Sequence, residues 1–158
     1  MKRSMMQTVF LLVFLLYPLC AGASVIQEKV YDICKYGAKG DGKTLNTNAI
    51  NSAIEYCAEN GGGTVLIPKG TFLSGTIYLK DNISLVLRKG AVLKGTADVS
   101  QYKSYTPLGN LSMFDSGGDG ENANSAIDPH WNRALILGVG VSNISIEGEG
   151  IIDGNHVF

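Results

Sequence analysis

The chain of 158 residues is 45% hydrophobic and 17% charged, with 20 glycines and a formal net charge of −1. That length holds one domain or part of one, and the composition excludes long solvent-laced helices. No basic block is present, which excludes the electrostatic footprint of a nucleic-acid binder.

The first 23 residues read as a secretory signal peptide. Lys2 and Arg3 open it, Val9 to Leu16 form an apolar run, and Ala21-Gly22-Ala23 offers a small-residue cleavage site. The run is too short to span a membrane, and nothing after residue 24 is long enough to do so. Leu19 ahead of Cys20 is too large for a lipidation site. Losing Lys2 and Arg3 with the leader takes the net charge from −1 to −3. Cys34 and Cys57 then remain as an even pair in an exported chain, and a bridge between them and two buried thiols both fit.

Val30 to Tyr36 has room for a short strand, and Gly37 to Gly42 reads as a turn. Ile50, Ala53, Ile54, Cys57 and Ala58 fall at i, i+3, i+4, i+7 and i+8, which predicts an amphipathic helix over about Asn48 to Asn60. Asn46 or Thr47 is placed to cap its start, and Gly61-Gly62-Gly63 stops it. Cys57 on the greasy face is placed to meet Cys34 in the adjoining strand.

The pattern then becomes repetitive. Val65 to Gly75 returns as Leu85 to Gly95 at an offset of 20, with Lys69/Lys89, Gly70/Gly90, Leu73/Leu93 and Gly75/Gly95 coinciding. Asn82 to Gly95 returns as Asn143 to Gly154, two residues shorter. A period near 20, built of short strands and Gly turns, predicts an all-β solenoid: a parallel β-helix whose units bury their apolar faces only when stacked. The helix before it reads as the N-terminal cap that covers the open end of the core. Thr96 to Asn132 interrupts the repeat as a long insertion, and insertions in solenoids map to loops, often on the binding face. The sequence stops at Phe158 with no capping element in view, so residues 24–158 read as the cap and first coils of a longer domain.

Several motifs compete for a functional reading. Gly37 to Thr44 satisfies the phosphate-loop pattern, but the helix starts only near Asn48, after its own cap, so its N-terminus does not face the loop. The bland reading, a Gly turn, is preferred. Asp115, Asp119 and Gly120 faintly resemble a calcium loop, but Gly117 and Ala126 stand where ligands are needed. No metal site or cofactor is expected. His130-Trp131 is the candidate sugar contact, since an indole supplies a flat apolar face. An anchoring role for Trp131 is the simpler alternative. Lys39, Lys43, Lys69, Lys80, Arg88, Lys89 and Lys94 suit either an acidic polymer or solubilised turns. Asn82-Ile83-Ser84, Asn110-Leu111-Ser112 and Asn143-Ile144-Ser145 are glycosylation sequons whose Asn residues suit turns equally well.

Tyr36 to Thr44, the helix, Gly61 to Val65 and Pro68 to Phe72 together resemble the N-terminus shared by pectin-degrading β-helix enzymes. Gly90 to Leu93 and Gly148 to Gly154 narrow the resemblance to family 28 glycoside hydrolases, the polygalacturonases and their relatives. The resemblance implies a right-handed parallel β-helix. It also implies an exported inverting hydrolase acting on the galacturonan of pectin, a monomer, with paired carboxylates as acid and base. The family's catalytic motifs are Asn-Thr-Asp, Asp-Asp, Gly-His-Gly and Arg-x-Lys. None occurs here: Asn46-Thr47-Asn48 ends in an amide, and neither His130 nor His156 lies between glycines. No catalytic residue is therefore carried over, and residues 24–158 alone are expected to be inactive. A polysaccharide lyase and a non-catalytic adhesin or tailspike on the same scaffold are the alternatives.

Overall fold

A computed structural model describes residues 29–104 and 133–156. The signal peptide and most of the insertion lie outside them. So do His130, Trp131, the Asn110 sequon and the calcium-like run at Asp115.

The described residues stack as parallel coils of short strands. The opening coil carries β1 (Val30–Asp32) and β2 (Asp41–Leu45), then helix α1 (Thr47–Glu59). The first full coil carries β3 (Gly63–Ile67), β4 (Gly70–Ser74) and β5 (Ile77–Tyr78). In the second, β6 (Ile83–Leu87) and β7 (Ala91–Gly95) are followed by the insertion. Its stems are β8 (Lys103–Ser104) and β9 (Arg133–Ala134), and β10 (Ile136–Leu137) completes the coil. The next coil brings β11 (Ser145–Gly148) and β12 (Ile151–Asp153). Sheets run β1-β3-β6-β11, β12-β7-β4-β2 and β10-β5, all with parallel pairing. This is the parallel β-helix that the repeat implies, with the right-handed course that the resemblance implies.

Strand alternation explains the core. Every second residue points inward, and parallel stacking puts like on like. Tyr31, Val65, Leu85 and Ile146 form one ladder, and Phe72, Leu93 and Ile152 another. Ile77 and Ile136 meet on the third sheet. Val65, Leu85, Ile77 and Leu93 are fully buried.

The gapless offset of 20 holds for β3 and β6, where Val65 faces Leu85, and fails one turn later. Phe72, not Leu73, stacks on Leu93, and Leu73 lies beside Lys94. The second coil has one extra residue in its turn. A one-residue slip exchanges the faces of a strand, so the turn absorbs the extra residue and the apolar ladder survives.

Helix α1 occupies the place of a third strand in the opening coil. Ile50, Ala53, Ile54 and Cys57 are buried on its inner face. The helix side chains and the backbone of the residue before it also satisfy the outer backbone edge of the first full coil. Asn46 N–H donates to Leu73 O (2.8 Å), and Gly75 N–H to Thr47 Oγ1 (2.8 Å). Asn51 then imitates a peptide unit: its Nδ2 donates to Thr76 O (3.1 Å) and its Oδ1 accepts from Tyr78 N–H (2.8 Å). The edge of β5 beneath the helix therefore has little left with which to recruit another chain. Tyr56 packs on Tyr31 and Tyr36, with ring centroids 5.9 Å apart in each pair.

Four local expectations change. The strand at Val30 ends at Asp32, whose carboxylate accepts from Cys34 N–H (2.8 Å) and starts a 3-10 turn over Ile33–Tyr36. Asp41-Gly42 belongs to β2 and not to the preceding turn. Neither Asn46 nor Thr47 is seen to cap the helix through its side chain, because those side chains serve the coil edge and the loop beneath. In place of a Cys34–Cys57 bridge there are two free thiols. Ile33 takes the inward position of the 3-10 turn, which leaves Cys34 exposed, while Cys57 is buried in the helix face.

Candidate functional site

The insertion is rooted on the β5–β10 face. Stems β8 and β9 pair antiparallel, and Thr76, 1% exposed, ties both to the coil. Its hydroxyl donates to Ala134 O (2.6 Å) and accepts from Lys103 N–H (2.8 Å). Tyr102 tucks beneath, its hydroxyl donating to Thr96 O (2.8 Å). Asp98 caps the 3-10 turn Val99–Gln101 by accepting from Ser100 N–H. Stems tied to a rigid scaffold in this way are the usual setting for a binding surface.

On β5, alternation sends Ile77 inward and Tyr78 outward, where the residue is 40% exposed. Tyr78, Lys80, Asn51 and Glu55 line a shallow recess of about 230 Å³. Lys80 and Lys103 are exposed on the coil and on one insertion stem, and Arg133 is half-buried on the other. The face thus offers an aromatic ring and cations, the chemistry that holds an acidic sugar: apolar contact with a sugar face and charge-assisted bonds to a carboxylate. His130 and Trp131 precede β9 by two residues or fewer of intervening sequence, but their positions lie outside the described residues. The exposed Tyr78 was not singled out from the sequence. Its signal was available in the outward parity of Tyr78 next to inward Ile77.

A larger recess of about 480 Å³ runs along the strand entries and is lined by Asn82, Ser84, Asn143, Ser145 and the triple glycine. Its polar groups serve each other. Asn143 Nδ2 donates to Asn82 Oδ1 (2.9 Å), and the Ser84 and Ser145 hydroxyls share a bond (2.7 Å). Asn82 (φ 59°) and Asn143 (φ 53°) adopt the left-handed conformation that asparagine tolerates. The sequon asparagines of the repeats are therefore turn residues that link coils.

Three of the described acids, Asp41, Asp81 and Asp98, do not suit general-acid work, which needs a carboxyl pKa raised by burial or a like charge. Thr44 and Lys43 donate backbone N–H groups to Asp41 (2.8 and 2.9 Å), and the Thr44 hydroxyl also donates (2.7 Å), holding its pKa down to about 2. Bonds from Ser142 lower Asp81, and bonds from Ser100 and Gln101 lower Asp98. Asp41 also disposes of the phosphate-loop reading, since its own carboxylate takes the N–H groups of Lys43 and Thr44 that such a loop would aim at an anion. Burial raises the pKa of both Cys34 and Cys57, with Asp32 adding to the effect at Cys34, so neither favours a thiolate. No group of three His, Cys, Asp or Glu suited to a metal occurs among the described residues. No described helix is long and apolar enough to cross a membrane.

The lowered Asp41 carboxyl has a pH consequence. Its folded pKa lies below the unfolded value near 3.9, so its stabilisation is fully present above about pH 4 and is lost as pH falls toward about 2. Asp41→Asn is expected to be less stable than the parent at pH 7 and to converge on it by about pH 2. Urea midpoints followed by circular dichroism across pH 2–7 check this. A constant gap would remove the carboxylate from the account.

A family model described as rhamnogalacturonase A/epimerase, pectate lyase-like matches residues 30–156. An exo-poly-alpha-D-galacturonosidase of Dickeya chrysanthemi is 39% identical over 128 residues, covering 80% of this chain and 20% of that protein. A probable polygalacturonase of Vitis vinifera is 32% identical over 123 residues, covering 75% of this chain and 23% of that protein. Among solved structures, the family 28 exopolygalacturonase of Yersinia enterocolitica superposes with a TM-score of 0.63 at 32% identity, covering 82% of this chain and 21% of that one. The chain thus spans about a fifth of the length of these relatives.

Proposed function

The chain belongs to the rhamnogalacturonase A/epimerase, pectate lyase-like family, and from that premise we propose that it forms the capped opening coils of an exported polygalacturonase-type hydrolase. Its substrate is the α-1,4-linked galacturonan of pectin, cut with inversion. The observation that carries the reading is the 39% identity to an exo-poly-alpha-D-galacturonosidase over 80% of the chain, on a matching coil architecture. Residues 1–23 direct export, and the protein works as a monomer without a metal.

Within this reading the coils are a scaffold and the β5–β10 face is the side the polymer approaches. Tyr78 offers its ring to a sugar, and Lys80, Lys103 and Arg133 attract carboxylates. None of the four family motifs is present. Catalysis is not assigned to any residue of this chain.

The natural gene product, incubated with polygalacturonate, is expected to release reducing ends whose first-formed anomer is inverted, as read by proton magnetic resonance. Unsaturated products absorbing in the ultraviolet would replace the hydrolase with a lyase, and binding without cleavage would leave an adhesin. Residues 24–158 alone are expected to release no reducing ends. Release by them would place catalytic carboxylates within this chain.

A further inference from the structure

A second charged surface lies away from the β5–β10 face. It is the edge where the first strand of each coil turns into the second. Lys39-Gly40, Lys69-Gly70 and Lys89-Gly90 repeat there in three successive coils. The register places Gly40 beside Gly70: Thr71 N–H donates to Gly40 O (3.1 Å), and a methyl on Gly40 would meet Gly70 Cα at 3.1 Å. Gly70 N–H in turn donates to Gly90 O (3.1 Å). The glycines bring the turns close together, and each lysine is carried by the residue before one. A methyl on Gly90 would meet Lys69 Cγ at 3.3 Å, so the Lys69 stem lies across that glycine.

The resulting edge holds Lys39, Lys69, Arg88 and Lys89, all exposed. Among the described residues none of the four has a carboxylate within 4.0 Å, and the one ion pair found joins Lys94 to Asp153 elsewhere. The nearby acids are otherwise engaged or beyond the row. Asp32 accepts from Cys34 N–H, and Asp41 accepts from Lys43 and Thr44. Glu149 stands one coil further on, in the shortened turn between β11 and β12. Like charges set at a coil spacing of about 4.7–4.9 Å repel each other, so the row carries a positive potential that a bound polyanion relieves.

We infer that this lysine-glycine edge is a rail for an acidic polysaccharide, binding a chain that bears one carboxylate per sugar along the solenoid axis and apart from any cleavage site. A polymer with regularly repeated negative charge meets a row of cations with a regular repeat, and the rigid coils set the row's spacing before binding. The inference does not depend on hydrolysis, since a lyase or an adhesin with this edge would bind in the same way.

The test is affinity electrophoresis of the full chain through gels cast with polygalacturonate at low salt, with fully methyl-esterified pectin as the uncharged contrast. Lys69→Gln/Lys89→Gln is expected to weaken retardation about fivefold to tenfold, the size of two exposed ion pairs. The charge-matched Lys43→Gln/Lys94→Gln, whose cations sit on strands and not on the turn edge, is expected to stay within about twofold of the parent. Salt is expected to abolish the difference. Equal losses in the two variants would reduce the effect to net charge and overturn the rail. So would equal retardation by the esterified polymer, absence of retardation by polygalacturonate, or stronger capture by vesicles containing anionic phospholipid. Retention is read without cleavage, so these outcomes are separate from success or failure of the hydrolase assay.

Discussion

Asn46→Ala is expected to lower the stability of the chain by about 3 kcal/mol or more, while Asn48→Ala two residues later stays within about 0.5 kcal/mol. Asn46 is 1% exposed. Its Oδ1 accepts from Lys39 N–H at 2.7 Å, and its Nδ2 serves Thr44 O at 2.6 Å, Lys39 O at 3.1 Å and Leu73 O at 3.3 Å. One amide thus ties the turn before β2, the end of β2 and the next coil to the residue that starts α1. Alanine would leave a buried N–H and several carbonyls without that partner, and each unpaired group carries its own desolvation penalty. Asp at the same position retains the acceptor for Lys39 but turns a carboxylate toward three carbonyl oxygens, so Asn46→Asp is expected to be at least as damaging. Asn48 is exposed, and alanine suits a helix. Urea unfolding of the three variants checks the order. A small loss in Asn46→Ala would mean that the cap helix is held by its apolar face alone.

The sequence showed the coils because their information is local and repeated. Val65 and Leu85, Gly70 and Gly90, and the shortened return at Asn143 are each visible as a period. So is the helix, whose buried face at Ile50, Ala53, Ile54 and Cys57 is the predicted one. What the sequence hid depends on partners far away in the chain. A gapless match aligns Leu73 with Leu93, and only the stacking of Phe72 on Leu93 shows that a turn has gained a residue. The side chains of Asn46 and Thr47 looked like helix caps, yet they bond to backbone atoms of the next coil at Leu73 and Gly75, as Asn51 does at Thr76 and Tyr78. Cys34 looked able to meet Cys57 because a strand was expected there. The Asp32 carboxylate, by closing a 3-10 turn, redirects it to solvent.

The candidate face was legible only in outline. Its location followed from the insertion, whose stems at Lys103 and Arg133 do pair beside β5 and β10. The choice of Tyr78 needed strand parity. The lysine-glycine row needed the register, because Lys39 lies 30 residues before Lys69 while Lys89 lies 20 after it, so no single period links all three. The Asp41↔Thr71 pairing restores the rung.

The triple glycine offers the sharpest separation of backbone conformation from packing. Gly61 and Gly62 have nearly the same φ, 87° and 88°, so alanine meets the same left-handed strain at either, about 1–2 kcal/mol. Their surroundings differ. A methyl on Gly61 would meet nothing within 4 Å, whereas one on Gly62 would run into the carbonyl oxygen of Asn82 in the next coil. That carbonyl cannot simply retreat, since it accepts from Gly63 N–H at 2.9 Å, and Asn82 N–H donates to Ser142 O at 3.0 Å on the other side. Making room for Gly62→Ala therefore pushes β6 away from β3 where their pairing begins. It is expected to cost about 1–3 kcal/mol beyond Gly61→Ala, the penalty of overpacking a close contact. Thermal and urea unfolding of the two variants measure the difference. A clear excess for Gly62 would mean that coil spacing holds this glycine in place. Equal losses would mean that its backbone angle alone does, and that the coils can part at this turn without cost.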